Sequence, residues 1–343
     1  MSRLSLVLVA ALTTSAHANV WDRATDSTAD AARDRYETAL HDGDELALRA
    51  NAKVNNVKTI NALVDQAIAE YKIAAAARPR DGEPYFRIAS VLESFYTDCN
   101  AANAAGSFGQ RAPATCIGSR LDAARTKQAV EAWDAFESRA PLDPRVADVL
   151  FSRAILRTKL VVDAKDAKPH LEGALKDYTA LLDRADGMTM LRLEQVWGNL
   201  AETYMMLGKL DEAIESYQVA IEKGAGSSTH YGKAVALDRD ERGAEALEVI
   251  KRQNITAFDD FKDDIRNGTV FYVPAGEEFY YFGLIYEAFG YYAESIAAWK
   301  SFIKSGAHPL YQARAKQHID ALSLKQLTSP RVRRPPDPFD PYP

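Results

Sequence analysis

Cysteine is nearly absent from this chain of 343 residues; Cys99 and Cys116 are the only two. No histidine or third cysteine stands near them in the sequence, which disfavours a zinc cluster of the usual four ligands. Long apolar runs are missing as well. The run from Leu4 to Leu12 is too short to cross a membrane, and no later segment is apolar enough to do so. Positive charge is not in excess: 42 Lys and Arg stand against 48 Asp and Glu, a formal net charge of -6. Such a mildly acidic, mixed surface argues against nucleic acid or anionic lipid as the main partner. The hydrophobic share of 47% lies far above that of disordered chains, so a packed core is expected.

Catalytic and cofactor motifs are lacking in the same way. Ser301-Phe-Ile-Lys304 fits a Ser-x-x-Lys pattern, and Lys304-Ser-Gly306 faintly matches the third motif of such acyl-enzymes. The two overlap at one helix end, whereas that chemistry needs them far apart in sequence. Gly224-Ala-Gly226 lacks the third glycine and the lysine of a phosphate loop and reads as a helix stop. His41, His170, His230, His308 and His318 show no metal-ligand spacing, and the acidic run Asp259, Asp260, Asp263, Asp264 lacks the order of a calcium loop. No catalytic residue, cofactor or metal is therefore expected, and the acidic run reads as a solvated face, with a weak cation site as the alternative.

The first eighteen residues carry a positive start at Arg3, the short apolar run and the small-x-small site Ala16-His17-Ala18. Together they predict a secretory signal peptide cleaved after Ala18, and a mature chain that is periplasmic or secreted. In an exported chain, two cysteines at short separation read as a disulfide worth on the order of 3 kcal/mol in the chain-entropy model. A redox pair and half of a metal site are the other readings. Asn254-Ile-Thr256 and Asn267-Gly-Thr269 are glycosylation sequons, relevant only in a eukaryotic host.

What is present is a spacing. Trp197, Leu200, Ala201 and Tyr204 are followed by Gly208, then by Ala213, Tyr217 and Ala220. Small residues let two antiparallel helices approach while aromatic rings fill the groove beside them. This stretch resembles a tetratricopeptide (TPR) repeat, with Gly208 between its two helices. A weaker copy starts at Tyr231. A strong one runs through Phe279, Phe282, Gly283 and Tyr286, the turn at Gly290, then Ser295, Trp299 and Phe302. Second-helix signatures recur at Asp65–Ala74 and Lys127–Phe136, closed by Pro79 and Pro141, and Arg145–Leu160 with Pro169–Leu182 makes a further hairpin.

The expected architecture is all-α: a right-handed helical-hairpin solenoid, a TPR-like superhelix with a capping helix. Residues 19–50 are expected to supply a lead-in helix and 51–309 the repeats, with insertions at 97–119 and 254–276. A capping helix with a polar outer face follows at 310–327, and a proline-rich disordered tail at 328–343.

The resemblance implies that first helices line a concave groove for a protein or peptide partner. Its groove candidates are Arg87, Ser90, Asp148, Ser152, Asn199, Glu202, Lys233 and Tyr280. The strongest part is expected near Tyr280, with the 254–276 insertion placed to fold over it as a lid. Tyr280, Tyr281, Tyr291 and Tyr292 fall between core positions and either bind or pack. Gly198 and Glu202 stand where the family's chaperone-binding members carry a Lys and Asn clamp, so recognition of chaperone tails is disfavoured. The leading reading is an exported scaffold, without turnover, in a bacterial cell-envelope assembly. The alternatives are an enzyme or enzyme-regulating module acting on envelope glycan or lipid, and a purely architectural subunit.

Overall fold

The structure, a computed structural model, describes residues 27–52, 57–96, 122–161, 167–184, 192–267 and 273–328. The expected signal peptide, both cysteines with their expected disulfide, and the tail after 328 lie outside the described residues. Among the described residues there are fourteen α-helices, one short 3-10 turn and no strand. They fall into two compact units, 27–146 and 147–328.

In the first unit α1 (Ser27–Asn51) pairs with α2 (Val57–Ala77), and α3 (Glu83–Tyr96) with α4 (Ala123–Arg139). The expected lead-in helix is thus the first member of a hairpin, its Tyr36 and Ala39 buried against Ala74 of α2. Asp122 begins α4 by accepting the Arg125 amide at 3.0 Å, a cap worth about 1 kcal/mol. Phe86 of α3 meets Trp133 and Phe136 of α4 edge to face, with both ring centroids 5.2 Å away.

The second unit continues with α5 (Val146–Lys159) and α6 (Ala167–Asp183), then α7 (Leu193–Met206) and α8 (Leu210–Glu222). After these come α9 (Ser227–Arg239), α10 (Gly243–Lys251), α11 (Thr256–Asn267), α12 (Glu278–Ala288) and α13 (Tyr292–Ser305). A 3-10 turn (Pro309–Tyr311) leads into α14 (Gln312–Thr328). The hairpins are α7–α8, α9–α10 and α12–α13, and α14 packs on α13.

Their ends follow from local chemistry. Gly208 takes φ +73°, so the amides of Gly208 and Lys209 fold back onto the carbonyls of Met205 and Tyr204 and close α7. The small positions do what the spacing requires. Ala201, Ala213, Tyr217 and Ala220 are fully buried. A Cβ on Gly283 would come within 2.5 Å of the Trp299 ring, so this glycine sets how closely α12 and α13 approach.

The 254–276 insertion, expected to fold over the groove as a lid, forms a packed helix in its described part. Asn254 accepts the Thr256 amide at 3.2 Å and opens α11, whose Phe258 and Phe261 are fully buried. The capping helix has both polar and apolar residues outside its buried side. Leu322 packs inward, but Leu324 and Leu327 are 69% and 84% exposed.

Candidate partner faces and a buried polar cluster

In the first unit Arg87 projects from α3 towards α1, where it pairs with Asp44, and it also bonds its own Glu83 at 2.7 Å. Asp44 accepts the Tyr71 hydroxyl as well, at 2.9 Å. Arg145 closes the set on Glu83 at 2.8 Å while lying 4.1 Å over the Phe86 ring. Ser90 is half-buried one turn further along α3. The arginines here keep about a third of their side chains in water, so this is a polar, reachable face.

In the second unit the sequence candidates divide. Asp148 is exposed and Ser152 half-buried on α5. Asn199 is half-buried on α7 and donates its amide to the Gln195 carbonyl at 2.9 Å. Lys233 on α9 reaches Gln218 of α8 at 2.5 Å and stays half-buried. Glu202 and Tyr280, by contrast, are only 2% and 0% exposed. The expectation that they line an open groove is corrected, because both are built into a polar cluster inside the unit.

That cluster has two lobes. In one, Glu202 accepts the hydroxyls of Tyr217 at 2.6 Å and Tyr281 at 3.3 Å. Arg239 pairs with Glu277, both fully buried, and its guanidinium lies 5.0 Å over Tyr280 and 4.5 Å over Tyr311. His308 reaches Glu277 at 3.2 Å. In the other lobe Asp238 accepts Tyr280 Oη at 2.7 Å, Arg314 Nη2 at 2.7 Å and His318 Nε2 at 3.1 Å. The second ring nitrogen of His318 bonds Glu287 at 2.7 Å, and the ring stacks on Trp299 at 4.5 Å. Side chains from α7, α8, α9, α12 and α14 are thereby joined.

Burial, and then the negative charge of Glu277, push Glu202 up to about 8, against the opposing bonds from Tyr217 and Tyr281. Burial would raise Glu277 too, but the Arg239 charge and the His308 bond hold it at about 2. Burial disfavours the charged form of His318, yet its bonds to Asp238 and Glu287 raise it to about 9. Burial likewise opposes ionisation of Asp238, and bonds from His318, Arg314 and Tyr280 hold it far below the usual carboxylate range. A neutral and an ionised carboxyl side by side are the elements of acid–base chemistry. Here both are sealed from solvent; each holds a hydroxyl or guanidinium donor on one oxygen, while Glu202 Oε1 and Glu277 Oε2, and Nε and Nη1 of Arg239, are buried without a hydrogen-bond partner.

Sequence reasoning overlooked Arg153 and Asp177 in the same unit, a buried two-point pair (3.0 and 2.6 Å) joining α5 to α6. The available signal was charge standing among the aromatic and aliphatic residues of inward faces, as in Asp177-Tyr178 and Asp238-Arg239. The acidic run lies on α11, with Asp260 and Asp263 exposed, and no cluster of three or more metal-ligating residues occurs among the described residues. Among them too, no helix is long and apolar enough to cross a membrane.

No protein-family model and no curated protein matches the chain. Solved structures similar to it include the crystal structure of MamA protein, at 16% identity and a TM-score of 0.38, covering 70% of this chain and 98% of that one. Another is a tetratricopeptide repeat protein from Parabacteroides merdae ATCC 43184, at 14% identity and a TM-score of 0.33, covering 84% and 99%. At these identities and scores neither neighbour bears on partner or chemistry. The TPR-like character of the chain rests on its own hairpins and their small and aromatic contacts.

Proposed function

We propose that this chain is an exported helical-repeat scaffold that binds a protein or peptide partner on the first helices of its hairpins, within a cell-envelope assembly. The observation that carries this reading is the division of polar groups. The charged groups most suggestive of chemistry are sealed inside and paired with one another across helices, while Arg87, Ser90, Asp148, Ser152, Asn199 and Lys233 stay exposed or half-buried on successive first helices. Scaffolds of stacked hairpins work by complementarity along such surfaces. Export rests on the leader, which predicts a mature chain starting at Asn19.

The test is site-specific photo-crosslinking of the full chain in its native envelope fraction. A crosslinker replacing Asn199 or Lys233 should trap one discrete partner. One replacing Glu215, exposed on the second helix α8, should not. Equal trapping at both kinds of position would place the partner elsewhere.

A further inference from the structure

The join between the two hairpins of the first unit forms an open cleft of about 650 Å³, lined by residues 78–82 and by Arg139 and Ala140. Its shape follows from the sequence. Pro79 stands just past the end of α2, and the Asp81 amide folds back onto the Arg78 carbonyl at 3.0 Å, so the chain turns there. A Cβ on Gly82 would come within 3.0 Å of the Phe136 ring and 3.1 Å of Ala140, so the start of α3 lies directly against the end of α4. The cleft sits where these helix ends meet, and its volume is in the range of ligand-binding clefts.

Three arginines line it, and little negative charge answers them. Arg139 bonds the Pro79 carbonyl at 3.0 Å, the Ala135 carbonyl at 2.9 Å and the Ser138 hydroxyl at 3.3 Å, and its guanidinium lies 4.2 Å over the Tyr85 ring. These contacts hold the group in place without neutralising it. Arg78 lies 4.0 Å over the Tyr36 ring and meets Glu37 at 3.8 Å. Arg80 is exposed and makes no bond or ion pair among the described residues. The one acid of the lining, Asp81, has both oxygens engaged, by the Glu83 amide at 2.9 Å and the Tyr36 hydroxyl at 2.8 Å. Arg80 and Arg139 thus have no acid within ion-pair reach among the described residues, on a chain of net charge -6. A guanidinium pairs with a carboxylate in a planar, two-point fashion. One that is already held loses little freedom on binding, and the unbonded Arg80 can adjust to a second carboxylate. We propose that this cleft binds an acidic peptide segment of a partner, with Arg139 as the fixed donor and Arg80 as the adaptable one. The site goes beyond the scaffold reading above, since it lies at helix ends between hairpins and uses none of the groove candidates.

The test is titration of a labelled hexaglutamate peptide onto the full chain at low ionic strength, with hexaglutamine as the uncharged control. Hexaglutamate should bind saturably and hexaglutamine should not, and the affinity should fall as salt is added. Arg80→Gln should weaken binding about threefold and Arg80→Gln/Arg139→Gln at least about tenfold, the scale of one and two exposed ion pairs. Arg80→Gln removes no bond within the chain, so it remains a clean readout even if the double variant unfolds. Arg87→Gln, on α3 but outside the lining, should change the affinity by less than about twofold. No saturable binding, an unchanged affinity in Arg80→Gln, or an equal loss in Arg87→Gln would each overturn the proposal. If inorganic phosphate binds through Arg80 and Arg139 and hexaglutamate does not, the occupant is a phosphate group and the acidic-peptide proposal also falls. Crosslinking at Asn199 or Lys233 can succeed or fail whatever hexaglutamate does, so the two readings fail separately.

Discussion

The two units fasten their hairpins with the same residue types in opposite surroundings. In the first, Arg87 and Asp44 keep 35% and 37% of their side chains exposed. In the second, Arg239 and Glu277 keep none. Water screens the first pair, so it gains little and risks little. The second pair has lost its hydration and depends on its partners, so breaking it strands a charge. A reachable polar face suits exchange with a partner, while a sealed one fixes which helix sits against which.

The largest effects should come from disrupting the sealed cluster. Tyr280→Ala removes a ring packed at 4.7 Å on Trp299 and 5.0 Å on Phe302. It should cost about 3–5 kcal/mol in denaturant unfolding of the second unit, and a near-unchanged midpoint would return Tyr280 to the surface. Arg239→Ala leaves Glu277 without its principal charge partner and should cost about 3–5 kcal/mol, against no more than about 1 kcal/mol for Arg87→Ala in the first unit. Equal losses at the two sites would erase the contrast drawn between them.

Protonation sharpens the same comparison. The folded state binds the Glu202 proton more tightly than the unfolded chain, whose carboxyl titrates near 4.5. This contribution is fully present below that value and is lost as pH climbs towards about 8, by up to about 1.4 kcal/mol per pH unit. His318, raised to about 9, adds a further decline above its unfolded value of 6.5. Stability of the second unit, followed by urea melts from pH 5 to 8, should therefore fall, and Glu202→Gln should flatten the portion below pH 6.5. A persistent slope in that variant would mean that Glu202 is ionised in the fold. The smallest effect belongs to Arg125→Ala. It breaks a pair with Asp65 whose acid is 55% exposed and should shift the first unit by less than about 1 kcal/mol.

The hairpins were legible because their cause is local. Ala201 and Ala213 had to be small and Tyr217 large for α7 and α8 to touch, and these constraints lie within one repeat. Tyr280 was misplaced because repeat position alone assigned it to a groove. The sequence Phe279-Tyr-Tyr-Phe-Gly-Leu-Ile-Tyr carries no polar side, and a helix apolar all round is buried all round. Residues 280–287 are accordingly all inside. Helix α11 was hidden behind its four aspartates, although Phe258 and Phe261 stand one turn apart. The ionic partners were illegible for another reason. Arg239 and Glu277 are 38 residues apart and Asp238 and His318 are 80 apart, and no local pattern encodes such pairings.

The bond from Tyr281 to Glu202 spans 79 residues and skips the hairpin between them. Arrays in which each unit touches only its neighbours can unzip from an end, one unit at a time. A tie that bypasses a neighbour forbids this for α7 to α12, which should melt in a single step with the capping helix. The same tie sets an order during synthesis. Glu202 and Arg239 leave the ribosome as charges in water, and they can be enclosed only after Glu277 and Tyr281 have followed, so the middle of this unit is completed by its end.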